Sequence, residues 1–196
     1  MPAMPSRVFR AALLWTAFAL LAPAQSAFSQ VVDQSNGVGV PGSLHSLLTG
    51  YGEGQTFRPT LDRIDYAQFA IGRLGFGNGD PGTLFATIHH GARTNPALAQ
   101  SPPVPVSGTN MLFPIFLFDP PVPLVPGDSY SLVLHIASGT ENWGIGTTQD
   151  TYARGQLIAT YGDAQLYDAW FREGTMAPVP SATLTWGRVK AAYRYE

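Results

Sequence analysis

Few residues in this sequence stand in a pattern that chemistry requires. His89 and His90 are adjacent. Neighbours on a strand face opposite sides, so one metal ion engages both only through a local distortion. His45 and His135 are remote from them in sequence. Asp62 and Asp65 are three apart on an expected strand, which points them to opposite faces. That is the wrong arrangement for a glycosidase carboxylate pair. A chain with 13 acidic residues offers many other pairs, so no single one carries weight. There is no Gly-x-Ser-x-Gly elbow, Ser-x-x-Lys or His-Glu-x-x-His. Gly75 to Gly79 is glycine-rich but lacks the Gly-Lys-Ser/Thr ending of a phosphate loop. The expectation is a chain without catalytic activity.

Binding chemistry is better represented. Asn142 and Trp143 precede Gly144 in a turn-rich stretch, and Tyr152 and Trp170 follow nearby. Flat aromatic rings beside amide hydrogen-bonders suit a sugar face, so Asn142, Trp143, Tyr152 and Trp170 are the candidate ligand-binding residues. The alternative for Trp143 and Trp170 is that they fill the core. For an ion, calcium suits loop carboxylates and amide oxygens. Asp33, Asn36, Asp163 and Asp168 are its candidate donors, and one structural calcium is the only cofactor considered. At the C-terminus Trp186, Val189 and Tyr193 fall at helical spacing, with Arg188 and Lys190 between them. That stripe is a candidate docking tail for a partner or an anionic surface.

The elements that must position these residues read as strands. Hydrophobic residues make up 45% and charged residues 12%, against about 25% charged in ordinary globular domains. Disorder driven by charge is thereby excluded. The 21 glycines and 17 prolines suit many turns. A net charge of −2 leaves no basic field for nucleic acid. The absence of cysteine excludes a disulfide framework and thiol chemistry. Arg7 and Arg10, the apolar stretch Ala11 to Ala22, Pro23 and the small residues beyond form a Sec-type signal peptide. The apolar run is shorter than the roughly 20 residues of a spanning helix. The chain is therefore expected to be exported and to act outside the cell or at its surface.

Beyond the signal peptide, Gln55 to Phe57, Leu61 to Ile71, Thr83 to His89, Phe113 to Phe118 and Tyr130 to Ile136 read as strands. The last of these alternates most clearly and reads as half-buried. Asn142 to Ile145, Gln156 to Tyr161 and Ala169 to Arg172 complete the set, and Gly91 to Gly108 reads as a long surface connection. Val125 to Asp128 reads as a turn with Pro126 at its first central position. The expected fold is an all-β antiparallel sandwich, jelly-roll-like, with an N-terminal signal helix and a short C-terminal helix. Its expected organisation is signal peptide 1–29, β-domain 30–174, linker 175–182 and basic-aromatic tail 183–196.

Several ordered motifs resemble a known group. They are Asp33-Gln34-Ser35-Asn36, Gly54-Gln55-Thr56-Phe57, Pro121 to Leu132, Asn142-Trp143-Gly144, Tyr152 to Gln156 and Asp168 to Arg172. Together they resemble uncharacterised secreted domains of bacteria such as planctomycetes, some of which carry a PEP-CTERM sorting tail. The resemblance implies a galactose-binding-like or jelly-roll sandwich with no established enzyme activity. The tail departs from it. Pro178-Val179-Pro180 stands where Pro-Glu-Pro would stand, and no apolar helix or terminal arginine cluster follows. Thr185 to Arg194 instead looks like a "TWG.(I/V)K..YR" ending of assorted bacterial exported proteins. The sequence thus leads to a secreted, non-catalytic binding module for extracellular carbohydrate or cell-envelope polymer. The alternatives are a surface-associated structural protein docked through its tail and, third, a glycoside-acting hydrolase.

Overall fold

The computed structural model describes residues 28–37, 39–75, 81–139, 142–149, 151–160 and 166–178. They belong almost wholly to one compact unit, Ser29–Ala177. The signal peptide, nearly all of the Gly75 to Gly79 loop, Asp163 and the tail with Trp186, Arg188, Val189, Lys190 and Tyr193 lie outside the described residues. No helix among those described is long and apolar enough to cross a membrane.

The unit is all-β. In chain order the strands are β1 (Phe28–Asn36), β2 (Ser43–Ser46), β3 (Glu53–Phe57), β4 (Arg63–Phe69), β5 (Ile71–Arg73), β6 (Gly82–His90) and β7 (Ala97–Gln100). There follow β8 (Val104–Val106), β9 (Ile115–Pro123), β10 (Tyr130–Ser138), β11 (Trp143–Gln149), β12 (Leu157–Ile158), β13 (Tyr167–Ala169) and β14 (Phe171–Pro178). They form three sheets. One has the order β1-β14-β4-β9. The second runs β12-β3-β10-β6-β7, with β8 also on β6. The third runs β13-β11-β2, with β5 also on β11.

Period-two patterning explains the second sheet. Leu84, Ala86 and Ile88 of β6 and Leu132 and Leu134 of β10 belong to one hydrophobic core. The register sets Leu132 opposite Ile88 and Leu134 opposite Ala86. The first sheet adds Phe69 and Phe116, whose rings meet edge-on at 6.4 Å. The third adds Trp143 and Ile145. No disulfide is available, so this apolar burial must carry the stability.

The structure departs from the sequence expectation in four places. The expected strand Leu61 to Ile71 is two strands, β4 and β5, in different sheets. They part at Ala70, whose N–H donates to Trp170 O and whose carbonyl accepts from Gly146 N–H. The expected connection Gly91 to Gly108 contains β7 and β8, both paired to β6. β10 is buried on both sides along its first half rather than half-buried, and Ser131 Oγ on it donates to Gly91 O. Finally, β14 runs on to Pro178, so the first residues of the expected linker are strand, and Met176 N–H donates to the Asp65 carboxylate at 2.9 Å.

Candidate functional site

The four aromatic and amide candidates do not come together. Trp143 opens β11 with its side chain completely buried in the core, and its Nε1 finds no partner among the described residues. The Arg73 guanidinium lies 5.9 Å from its ring centroid. Trp170 stands between β13 and β14 and is 3% exposed. Phe113 meets it edge-on at 4.8 Å, and Arg172 lies 5.0 Å over its ring. A ring with no free face offers no platform for a sugar, so both tryptophans serve as packing. Asn142 is exposed at the start of β11, and its carbonyl accepts the Leu74 N–H at 2.8 Å. Tyr152 lines an open groove.

The described calcium candidates are each occupied by hydrogen bonds of the fold. Asp168 is fully buried. Its Oδ2 accepts the N–H groups of Thr151 and Tyr152 at 2.9 and 2.8 Å. Its Oδ1 accepts Gln55 Nε2 at 2.8 Å, while Gln55 Oε1 accepts the Ala169 N–H at 2.8 Å. Asn36 donates to Thr148 Oγ1 at 2.8 Å and to Ala169 O at 3.2 Å. Asp33 receives the N–H groups of Thr60 and Leu61 and the Thr60 hydroxyl. Among the described residues, no three His, Cys, Asp or Glu side chains form a group that could hold a metal ion.

What Asp168 does is position a loop. The segment it grips carries Tyr152 into a turn that closes when Gly155 N–H donates to Tyr152 O at 3.3 Å. Gly155 lies so close to β3 that a Cβ there would sit 1.7 Å from Thr56 O. The chain then locks onto β3. Gln156 N–H donates to Thr56 Oγ1 at 2.7 Å, and Thr56 N–H donates to Gln156 O at 2.9 Å. The expected Val125 to Asp128 turn forms the facing wall. Asp128 N–H reaches Val125 O at 3.2 Å, and Gly127 takes φ +85°. Gly127 N–H donates to Pro59 O at 2.9 Å, and Arg58 Nη1 donates to Gly127 O at 3.3 Å.

Between these walls lie two adjoining open hollows of about 420 Å³ each. One is lined by Thr56, Ser129, Tyr152 and Gln156, the other by Pro59, Thr60, Pro126 and Gly127, and Arg58 and Arg154 line both. Sequence reasoning found Tyr152 and missed the two arginines. Their signal was position: Arg58 follows a predicted strand and precedes Pro59, and Arg154 precedes Gly155.

Two buried polar clusters are also present, and the first adjoins the groove, since Asp33 holds Thr60 and Tyr152 Oη donates to Gln34 Oε1 at 3.2 Å. Glu173 on β14 is 0% exposed. Burial, with the Asp33 carboxylate beside it, pushes Glu173 up to about 9, so it is neutral at pH 7. For Asp33 burial works upward, but hydrogen bonds from Thr60, Leu61 and Gln34 outweigh it and hold the carboxyl below its ordinary value. Tyr66 is pushed up to about 12, first by burial and then by Glu173. A neutral acid beside a carboxylate can exchange a proton, yet Glu173 presents no surface to a substrate.

The second cluster joins histidines that are far apart in sequence. His89 Nδ1 lies 2.7 Å from Asn95 O, a pure acceptor, so Nδ1 carries the hydrogen. In the neutral ring Nε2 then accepts the Thr87 hydroxyl at 2.8 Å, and that oxygen accepts from His135 Nε2 at 2.9 Å. Burial, then His89 and Arg93, lower His135 to about 4, so it is neutral at pH 7. Nearby, His45 Nδ1 lies 3.8 Å from the fully buried Glu53 carboxylate. Burial raises Glu53 against the opposing hydrogen bonds from Thr160.

No protein-family model and no curated protein matches the chain.

Proposed function

We propose that this chain is an exported, non-catalytic recognition module. In this reading it is a jelly-roll-like β-sandwich that binds extracellular carbohydrate or cell-envelope polymer along the groove between the Val125–Asp128 and Tyr152–Gly155 turns. The observation that carries the reading is the groove itself. An open channel joins hydroxyl and amide side chains (Thr56, Ser129, Gln156) to one aromatic ring (Tyr152). Sugar recognition calls for that mixture of apolar face and hydrogen-bonders. Its wall is fixed before any ligand arrives, because Asp168 and Thr56 hold the backbone of Thr151, Tyr152 and Gln156. A preformed wall lowers the entropic cost of binding. The jelly-roll likeness rests on antiparallel sheets sharing one core.

The test is a pull-down of the purified full chain on insoluble and soluble polysaccharides, with and without calcium, beside Tyr152→Ala and Gln156→Ala. Saturable binding that both variants weaken supports the reading. Failure to retain any polysaccharide, with the chain folded by circular dichroism, refutes it. A calcium requirement would place an ion in or near the groove.

A further inference from the structure

We infer that the groove takes an anionic polysaccharide, one whose sugars carry carboxylate groups; this rests on the groove being the recognition site. The described residues include six arginines and no lysine. Four of the six are committed to the fold. Arg63 pairs with Asp65 at 3.3 Å. Arg73 and Arg172 cover the rings of Trp143 and Trp170. Arg93 donates to Gly52 O and, at 3.5 Å, to the Thr160 hydroxyl.

The remaining two, Arg58 and Arg154, are both exposed and both line both hollows, and Arg58 spends only one of its donors on the fold, at Gly127 O. Among the described residues, no Asp or Glu lines either hollow. Two carboxylates adjoin the lining, Asp128 beside Gly127 and Ser129 and Asp33 bonded to Thr60, and each has partners of its own. Asp128 faces His90 at 3.3 Å, and Asp33 is saturated by Thr60 and Leu61. Two guanidinium groups thus share one groove without a protein counter-charge among the described residues. Guanidinium matches a carboxylate with two parallel hydrogen bonds. Successive acidic sugars along a polymer offer one carboxylate to each arginine. Nucleic acid does not fit a chain of net charge −2 with two cations among the described residues at the site.

The deciding experiment is calorimetric titration of the full chain with polygalacturonate, its fully methyl-esterified form and dextran sulfate. The same titrations are repeated with Arg58→Gln and Arg154→Gln, both checked for an unchanged melting temperature. The expected result is binding to polygalacturonate that weakens at least tenfold on methyl esterification, at least tenfold in each variant, and with added salt. Equal affinity for the acid and its ester, or unchanged affinity in both variants, overturns the anionic assignment and leaves the recognition module standing. Binding to dextran sulfate without binding to polygalacturonate overturns the carboxylate assignment. If no acidic or neutral polysaccharide binds at all, the recognition reading fails with it.

Discussion

Asp168→Asn is a nearly isosteric change that the hydrogen-bond pattern does not tolerate. The chain of bonds runs from the Thr151 and Tyr152 N–H groups through the Asp168 carboxylate and the Gln55 carboxamide to the Ala169 N–H. Both ends are backbone donors, so the carboxylate must accept on both sides. An Asn places its NH₂ either against Thr151 and Tyr152 or against Gln55 Nε2. Flipping Gln55 to relieve the second case turns its NH₂ toward Ala169 N–H. Every arrangement leaves donor facing donor around Asp168 and Gln55, neither of which has exposed surface. A hydrogen bond to a charged group contributes about 1.5–3 kcal/mol, and an orphaned buried donor costs about 1–3 kcal/mol. With weaker bonds surviving, the net loss is about 3 kcal/mol. At a urea m-value of about 2 kcal/mol/M the unfolding midpoint falls by about 1.5 M. Parallel urea titrations followed by tryptophan fluorescence measure it. A loss below about 1 kcal/mol would refute the argument that the network has a fixed polarity. The variant should also bind polysaccharide more weakly, since the freed loop carries Tyr152 and Arg154.

Three further outcomes follow from the same structure. Gly155→Ala drives a Cβ into Thr56 O at 1.7 Å, so it should displace the turn, lower the melting temperature and reduce binding at the groove; an unchanged melting curve would contradict the close approach. Glu173 is raised from 4.5 to about 9 in the fold, so its stabilising contribution is full below pH 4.5 and is lost as pH rises toward 9. Glu173→Gln removes that loss and should stabilise the protein at pH 7 by about 3 kcal/mol; a destabilised variant in urea titration would count against a neutral Glu173. His135 is lowered from 6.5 to about 4, so its contribution is full above pH 6.5 and disappears as pH falls through about 4. Stability should drop by up to about 3 kcal/mol across that window, and His135→Gln should flatten the drop; an identical slope in parent and variant would remove His135 as its source.

The alternation of β6 and β10 and the Pro126-Gly127 turn were legible in the sequence because each is a local signal. Residues two apart share a face, and proline followed by glycine presets a turn. The split at Ala70 was not legible, since both halves of the Leu61 to Ile71 run are apolar and only tertiary hydrogen bonds to Trp170 and Gly146 divide them. Trp143 looked like a loop residue because Asn142 and Gly144 flank it, yet it is the first residue of a paired strand. Asp168 looked like a metal donor because sequence does not show which backbone N–H groups converge on a carboxylate. The groove draws on residues 56–60, 126–129 and 152–156, which only the folded sheets bring together. Tyr152 was found through its aromatic type, whereas the arginines have no local pattern of their own.

β9 forms one edge of its sheet, and Pro120, Pro121 and Pro123 occupy its second half. A proline has no N–H, so an incoming strand finds only part of a ladder there. The first half of the same strand exposes Ile115 and Leu117, the kind of surface on which chains otherwise stack. A second copy pairing along this edge therefore finds fewer donors in its second half than in its first. Fibre growth from this edge is thereby disfavoured by the backbone itself, whatever apolar side chains stand beside it.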